Sequence, residues 1–200
     1  GPLSVRRTAQ SLADVGAAGL QIEDQPLDRR CGYLTHEPPV PVPEMLRRLE
    51  AVRAADTDLM VVARTDALLT EGLDAAVGRA KAYCREGVDL LMVNGIRTLD
   101  DLRRIHDEVG FPLLHNVSGS DRSPDVDTAL AQQLGVRVVI YPIQAARAAA
   151  QATDAYLASL HGEAATPPQM PFRDYMDAAG WSDAEAFDDR VRGTGQESGR

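Results

Sequence analysis

Five short apolar runs, each followed by a helix-like stretch, constrain the fold of this chain more than any other feature. The runs cover residues 19–22, 59–63, 90–93, 113–117 and 136–141. Most side chains within each run are apolar, which is typical of strands buried on both faces of a parallel sheet. The stretches between and after the runs repeat apolar residues at helical spacing. The pattern predicts an α/β protein in which helices cover a parallel sheet.

Two architectures fit this alternation: an open doubly wound sheet, or part of an eight-stranded (β/α)8 barrel of the TIM type. No Gly-x-Gly-x-x-Gly follows the first run, which weakens a dinucleotide-binding interpretation. Polar residues instead follow successive runs where each predicted strand ends: Glu23, Asp24, Arg64, Asp66, Asn94, His115, Asn116 and Ser118. Barrels carry their chemistry at this end of the strands, whereas an open sheet concentrates it at one switch point. The distribution favours the barrel.

The composition changes after the last repeated unit, so we predict a division into residues 1–162 and residues 163–200. The first part is expected to be the C-terminal portion of the barrel. The second part begins with a proline-rich linker, continues with two short helical patterns and ends in a polar tail that is expected to be disordered. Its aromatic residues are too many for so small an arm to bury: Phe172, Tyr175, Trp181 and Phe187. The arm is therefore expected to dock on its own barrel or on a neighbouring subunit.

Charge and cysteine content exclude several classes of protein. A net charge of −9 argues against a general nucleic-acid binder, which needs clustered lysine and arginine to neutralise phosphates. The two cysteines, Cys31 and Cys84, have no metal-knuckle spacing, and a disulfide framework is not indicated. No apolar run approaches the roughly 20 residues that span a bilayer, and no signal segment opens the chain. We expect a cytoplasmic protein that binds neither nucleic acid nor membrane.

Two of the strand ends carry charged residues with both a functional and a structural interpretation. Glu23 and Asp24 form a carboxylate pair that could serve a hard cation or could cap the following loop. Arg64 ends an otherwise apolar run, where a guanidinium is well shaped for a bidentate grip on a substrate carboxylate. The alternative for Arg64 is an internal ion pair with Asp66 or Glu23.

Cys31 and the segment after the fourth run are further candidates. Arg29 and Arg30 precede Cys31, and neighbouring cations lower the pKa of a thiol, which favours acid–base or nucleophilic chemistry. An inert cysteine is the simpler alternative, and Cys84 in mid-helix is interpreted as a packing residue. The segment 115–120 brings His115, Asn116, Ser118 and Ser120 to one strand end, as an anion cradle would, although a capped turn would use similar residues.

Three segments, in this order and spacing, resemble the isocitrate lyase / phosphoenolpyruvate mutase superfamily. They read Gly19-Leu20-Gln21-Ile22-Glu23-Asp24-Gln25, Arg30-Cys31-Gly32 and Ala63-Arg64-Thr65-Asp66-Ala67, and the later Ile140-Tyr141-Pro142 also fits. The resemblance covers residues 1–160 and is more specific for the superfamily than for any member. It implies a Mg²⁺-dependent barrel enzyme, with Mn²⁺ as a substitute, that makes or breaks C–C or P–C bonds beside a carboxylate through an enolate-like intermediate.

The resemblance also implies roles for individual residues. Glu23 would help hold the Mg²⁺ shell through water, Arg64 would clamp a substrate carboxylate, and Cys31 would be the acid that protonates the leaving enolate. Asn116, Ser118 and Ser120 resemble a carboxylate cradle, and Asn94 and His115 complete the predicted substrate-binding set. The C-terminal helices resemble an arm exchanged between subunits, which implies a homodimer or homotetramer.

Three departures from the family pattern keep other functions open. Tyr33 stands where the lyases have His, and Asn94 stands where they carry a substrate-binding Glu. Relatives also carry an earlier segment with the aspartates that bind Mg²⁺, so we interpret the chain as a fragment and expect it to be inactive and poorly soluble alone. The leading hypothesis is a C–C lyase acting on a small 2-hydroxy acid. The runner-up is oxaloacetate decarboxylation or phosphonopyruvate chemistry, and a non-catalytic barrel that binds oxo acids is the third.

Overall fold

The computed structural model of the protein describes residues 1–28, 37–118 and 123–194. These residues form two compact units, Gly1–Ala146 and Arg147–Arg200, the second described as far as residue 194. The first unit contains all five strands of the described chain. Its elements, in order, are α1 (Pro2–Asp14), β1 (Gly19–Glu23), α2 (Val42–Arg53), β2 (Met60–Thr65), α3 (Ala67–Thr70), α4 (Leu73–Cys84), β3 (Leu90–Val93), α5 (Leu99–Val109), β4 (Leu113–Asn116), α6 (Thr128–Gln133) and β5 (Val136–Ile140).

The five strands form one parallel sheet whose spatial order is the order of the sequence. Each strand therefore pairs with the strand that follows it in the chain, as successive strands of a βα barrel do. In the register, Glu23 lies beside Arg64, and Asn116 lies beside Ile140. The prediction of a parallel α/β fold of the TIM-barrel type, followed by a helical C-terminal region, is confirmed.

Alternation along the strands gives the sheet two different faces. One face packs against the helices through two large apolar clusters, which include Val61 and Ala63 of β2 and Leu91 and Val93 of β3. The opposite face carries a smaller cluster of Val62, Leu90, Met92 and Leu114, with Ile140 packed against it. Because successive side chains on a strand point to opposite sides, each strand residue belongs to only one of these two sets. We call the second set the inner face.

Helix ends follow local signals closely where a cap is present. In α5, the Thr98 side chain accepts a hydrogen bond from the Asp101 N–H, the Asp101 carboxylate accepts one from the Thr98 N–H, and Gly110 ends the helix in the left-handed conformation. Both ends agree with the pattern at 99–109. For the next helix the apolar spacing predicts 125–134, but it runs only from Thr128 to Gln133, because the Asp127 side chain caps the Leu130 N–H.

The second unit is helical, with most of α7 (Gln144–Leu160), then α8 (Phe172–Ala178) and α9 (Trp181–Thr194). Its large apolar side chains are exposed, as the concentration of aromatic residues in this segment led us to expect: Tyr156, Leu157, Leu160, Met170, Phe172, Tyr175, Trp181, Phe187 and Val191. Such a surface is typical of a segment that packs against something else. Across the described ranges, no helix combines the length and apolarity needed to cross a lipid bilayer.

Candidate active site

Four polar side chains lie at the carboxyl ends of successive strands on the inner face. Arg64 follows Val62 by two residues, Asn94 follows Met92, and Asn116 follows Leu114, so each continues the row of its own strand. Glu23 joins them because it lies beside Arg64 in the parallel register of β1 and β2. This is the end of a barrel where catalytic residues are found. The structure thus brings together four of the predicted site residues.

Arg64 is held in a fixed orientation by two carboxylates. Its Nε and Nη2 groups donate to Asp66 Oδ2 and Oδ1 at 2.8 and 2.9 Å, a bidentate pair. Its Nη1 lies 3.2 Å from Glu23 Oε2. The Arg64 side chain is 18% exposed, so the guanidinium retains contact with solvent. Both predicted ion-pair partners are therefore present, and the same geometry leaves the arginine accessible to a ligand.

Asp66 connects Arg64 to Asn94. Asn94 donates from Nδ2 to Asp66 Oδ1 at 2.6 Å, and both residues are almost completely buried. Asn94 is therefore committed to Asp66, with no exposed surface of its own. Its predicted role in binding substrate stays a prediction.

Asp24 faces the helices, unlike its neighbour Glu23. Its Oδ1 accepts from the Asp66 backbone N–H at 3.0 Å, and its Oδ2 accepts from the Tyr83 hydroxyl of α4 at 2.8 Å. Burial raises the pKa of the Asp24 carboxyl, while hydrogen bonds from Asp66, Thr65 and Tyr83 and the charge of Arg79 act in the opposite direction. Of the two interpretations of the carboxylate pair, the structure gives Asp24 a structural contact and places Glu23 on the inner face.

Arg79 and Tyr83 were not predicted from the sequence. Arg79 binds Glu71 through two hydrogen bonds of 2.9 Å and donates to the Val40 carbonyl at 2.8 Å. Burial acts to lower the pKa of Arg79, but its bonds to Glu71 and Tyr83 outweigh that effect and raise it. Burial and the Asp24 charge raise the pKa of Tyr83, so its phenol stays protonated and donates. The available sequence signal was a cation and a phenol, four residues apart, on the apolar side of a helix.

The predicted cradle at the end of β4 divides between the two faces. Asn116 is on the inner face, and its Oδ1 atom is buried with no hydrogen-bond partner among the described residues. His115 lies on the helix-facing side, where its Nε2 is 2.9 Å from the Pro124 carbonyl oxygen. Burial lowers the pKa of His115, which keeps the imidazole neutral. Ser118 is buried two residues beyond Asn116. Cys31 and Ser120 lie outside the described residues.

A cavity of about 500 Å³ opens between α1, β1 and α2. Its polar lining consists of Gln21, Glu23, Gln25, Glu44, Arg47, Arg48 and Arg64. Arg48 fixes this wall, since it donates to the Glu23 and Gln25 carbonyls at 3.0 and 2.8 Å and to Glu44 at 2.6 Å. The cavity has the size of a small-molecule site and has charged groups of both signs on its wall.

The described residues do not by themselves form a metal site. Within the ranges that the structure describes, no group of three His, Cys, Asp or Glu side chains is arranged to hold an ion. Asp24 and Asp66 are committed to hydrogen bonds in the buried network, and Glu44 at the cavity wall is paired with Arg48, which leaves Glu23 as the remaining carboxylate at that wall. One carboxylate fits an outer role through water, the role predicted for Glu23, and does not supply the several oxygens that Mg²⁺ requires.

Comparison with known proteins identifies the family of the chain. The sequence family described as phosphoenolpyruvate phosphomutase matches residues 1–161. The chain belongs to this family. The match covers the strands that carry Glu23, Arg64, Asn94 and Asn116. The predicted membership of the isocitrate lyase / phosphoenolpyruvate mutase superfamily is confirmed.

Curated members of the family that resemble the chain carry the name 2-methylisocitrate lyase. The protein from Bacillus subtilis (strain 168) is 36% identical over 154 residues, which are 77% of this chain and 51% of the relative. The protein from Escherichia coli (strain K12) is 39% identical over 153 residues, 76% of this chain and 52% of the relative. That from Halalkalibacterium halodurans is 31% identical over 198 residues, 97% of this chain and 66% of the relative. The chain thus spans between half and two thirds of the length of these relatives.

Solved structures give the same result for the fold. Oxaloacetate acetylhydrolase in complex with 3,3-difluorooxalacetate superposes with a TM-score of 0.84 at 30% identity, covering 96% of this chain and 67% of that one. For 2,3-dimethylmalate lyase the TM-score is 0.78 at 27% identity, with the same coverage. Phosphonopyruvate hydrolase complexed with oxalate and Mg²⁺ has a TM-score of 0.77 at 22% identity, covering 94% of this chain and 68% of that one, which shows a shared fold.

Proposed function

We propose that the protein cleaves a carbon–carbon bond in a small 2-hydroxy or 2-oxo carboxylic acid. The observation that carries the proposal is Arg64, a guanidinium oriented by Asp66 and Glu23 and partly exposed on the wall of the cavity. A planar cation held in this way matches the geometry of a carboxylate. Support comes from the family match and from relatives named for the cleavage of methylisocitrate.

The chemistry assigned to these residues is the stabilisation of negative charge. The substrate hydroxyl loses its proton, a carbonyl forms at that carbon, and the adjacent C–C bond breaks. The electron pair moves into an enolate of the leaving carboxylic acid, whose charge Arg64 would balance. The enolate then takes up a proton, for which Cys31 remains the predicted donor. The products are a 2-oxo acid and a second carboxylic acid.

Asn116 supports a polar ligand at the same end of the sheet. A buried amide oxygen with no partner costs about 1–3 kcal/mol, so a ligand that supplies a donor would recover part of that free energy. The oxygen and nitrogen of an amide side chain exchange places by a simple flip, after which Asn116 would donate to a carboxylate instead. We include Asn116 among the proposed substrate contacts and leave out His115, which lies on the helix side.

A divalent cation belongs to the proposal as well. We propose Mg²⁺, or Mn²⁺ in its place, with Glu23 accepting a hydrogen bond from metal-bound water. A bound cation would supply a Lewis acid for the substrate oxygens. Phosphonopyruvate hydrolase, which shares the fold, was solved with oxalate and Mg²⁺. We assign no step to the cation, because the described residues do not make a complete site for it.

The test is release of a 2-oxo acid, detected with phenylhydrazine. Malate, isocitrate, methylisocitrate and dimethylmalate are offered to the 200-residue chain and to any longer form that its gene encodes, with Mg²⁺ and with EDTA. EDTA-sensitive release from one of these acids would support a metal-assisted lyase. Silence with all four acids in both proteins would rule out cleavage of these 2-hydroxy acids, and oxaloacetate would then be the candidate substrate.

An Arg64→Lys variant tests whether the oriented guanidinium of Arg64 binds the substrate carboxylate. Lysine keeps the charge and loses the planar pair of donors, so kcat/KM should fall by about tenfold to a hundredfold, the equivalent of one charged hydrogen bond. Arg103→Lys is the matched control, because Arg103 lies on the exposed side of α5 and pairs with Asp100. If both variants lose activity equally, or neither does, Arg64 is not the carboxylate-binding group.

Oxaloacetate is a second candidate substrate. Oxaloacetate acetylhydrolase superposes on this chain with a TM-score of 0.84 at 30% identity. Oxaloacetate has the two carboxylates and the 2-oxo group that a cavity with three arginines would accept. Loss of oxaloacetate with release of acetate and oxalate would indicate hydrolytic C–C cleavage, whereas release of CO₂ and pyruvate would indicate decarboxylation.

We also propose that the helical arm packs against a second copy of the chain, to give a homodimer or homotetramer. The exposed apolar side chains of α8 and α9 motivate this proposal. Trp181, the sole tryptophan, is a natural reporter. Light scattering should give a multiple of the chain mass, and dilution should lower that mass while the Trp181 emission shifts to longer wavelength. A monomer at all concentrations would contradict the proposal.

A further inference from the structure

Two side chains of α4 reach from the helix layer to the strand ends. Tyr83 is fully buried and Arg79 is 9% exposed, on a helix face otherwise formed by Ala76, Val77 and Ala80. A buried arginine is costly unless its charge and donors are matched. Both side chains point toward the same carboxylate, that of Asp24, from which they are 55 and 59 residues distant in sequence.

The contacts form a continuous path from α4 to Arg64. Arg79 Nη1 lies 3.6 Å from Asp24 Oδ2 and donates to the Tyr83 hydroxyl at 3.3 Å. Tyr83 donates to Asp24 Oδ2 at 2.8 Å, and Asp24 Oδ1 accepts from the Asp66 N–H at 3.0 Å. Asp66 then accepts from two nitrogens of Arg64 at 2.8 and 2.9 Å. Every link along this path is a hydrogen bond or an ion pair between buried or nearly buried groups.

The path influences the orientation of the Arg64 guanidinium as well as its position. A hydrogen bond from the Asp66 N–H to a stationary Asp24 sets the backbone orientation at the end of β2. That orientation sets the direction in which the Asp66 side chain leaves the backbone, and Asn94 and Arg64 then hold its carboxylate, which a bidentate pair requires to share the plane of the guanidinium. Tyr83 holds the second oxygen of Asp24 at 2.8 Å, Arg79 lies 3.6 Å from the same oxygen, and the Thr65 side chain is a further hydrogen-bond partner of the carboxylate.

We propose that Tyr83 is a positioning residue for Arg64, with Arg79 as its support. It contacts neither the cavity wall nor Arg64 in any described hydrogen bond, and it acts through Asp24 and Asp66. The inference rests on the proposed function only in taking Arg64 as the group that binds a carboxylate. The competing explanation is that Tyr83 simply fills the core between α4 and β1.

A Tyr83→Phe variant separates these explanations, because it removes the hydroxyl and keeps the ring. Val77→Ala is the matched control, since Val77 is buried on the same helix and takes no part in the path. Urea unfolding first establishes how much stability each variant loses. The deciding readout is hydrogen exchange at the Arg64 Nε–H, followed by ¹⁵N NMR and assigned by the disappearance of this signal in Arg64→Lys.

Exchange at the Arg64 Nε–H should be about tenfold faster in Tyr83→Phe than in the wild type, and unchanged in Val77→Ala, because only the first variant loosens the pair with Asp66. Where the wild type releases a 2-oxo acid, KM should rise in Tyr83→Phe and stay constant in Val77→Ala. Wild-type exchange in Tyr83→Phe, or equal acceleration in both variants, would overturn the inference. If the wild type releases no 2-oxo acid, the proposed cleavage of 2-hydroxy acids is wrong. The inference about Tyr83 can still be tested, because the exchange measurement does not depend on turnover.

Discussion

Replacing Gly95 with alanine should destabilise the protein through a clash at a defined place. Gly95 follows Asn94 at the end of β3 and has a φ of +85°, a conformation that L side chains rarely adopt. A Cβ atom added there would lie 2.6 Å from Leu69 Cγ and closer still to Leu69 Cδ2, within the short helix α3. The substitution therefore adds a steric conflict to the backbone strain.

The magnitude follows from two separate costs. Left-handed backbone costs an L residue about 1–2 kcal/mol, and forcing an extra methyl group into a packed site costs about 1–3 kcal/mol. Gly110→Ala isolates the first cost, because Gly110 has a φ of +62° at the end of α5 and its added Cβ would meet nothing within 4 Å. The gain from restricting the unfolded chain is the same for both variants and cancels. Gly95→Ala should thus lower the free energy of unfolding by about 1–3 kcal/mol more than Gly110→Ala does.

Equilibrium unfolding in urea measures both variants, and a third variant identifies the cause. In a Leu69→Ala background the clash is absent, so Gly95→Ala should then cost no more than Gly110→Ala does. Equal costs for the two glycine variants in the original background would refute the steric argument. A difference that persists in the Leu69→Ala background would show that the conflict lies elsewhere.

Two further predictions follow from titrating groups. Burial lowers the pKa of His115, so below about pH 6.5 the unfolded chain takes up a proton that the folded His115 does not, and stability should fall by up to about 1.4 kcal/mol per pH unit. His115→Gln should flatten this slope between pH 6.5 and 5 in urea titrations, and identical slopes would contradict the assignment. Burial raises the pKa of Cys84 to about 11. In a Cys31→Ser variant, the remaining thiol should react slowly with a disulfide reagent at pH 8 and accelerate about tenfold per pH unit, whereas rapid reaction at pH 8 would show an ordinary thiol.

The repeated units were predictable from the sequence because their signals are local. The apolar run at 90–93 and the helix at 99–109 agree with β3 and α5 at both ends, since capping residues and glycine define the limits of α5. The short helix α3 was not predicted, because four residues provide too little periodicity to recognise. Its position matters all the same, since it places Leu69 against Gly95.

Prediction of the site was less complete for a different reason. The ion pair of Arg64 with Glu23 was considered from the sequence as the alternative to a substrate contact, and it is present because both residues end strands that are neighbours in the sheet. The role of Asp24 depends on Tyr83, 59 residues later, and no local pattern reports a contact at that separation. Likewise, the polar residues at the end of β4 suggested one cradle, but His115 and Asn116 lie on opposite faces of the sheet.

The strand order has a consequence for the way the sheet opens and closes. Pairing joins Gly19 to Met60, Val62 to Leu90, Leu91 to Leu113 and Leu113 to Val136, which are separations of 41, 28, 22 and 23 residues. The entropy of closing such loops differs by only about 0.6 kcal/mol per doubling of length, so loop length hardly ranks the strands. Burial does rank the strands, because all four residues of β3 are buried, whereas β1 and β5 are partly exposed. Local opening of the five described strands should therefore cost the least free energy at β1 and β5 and the most at β3.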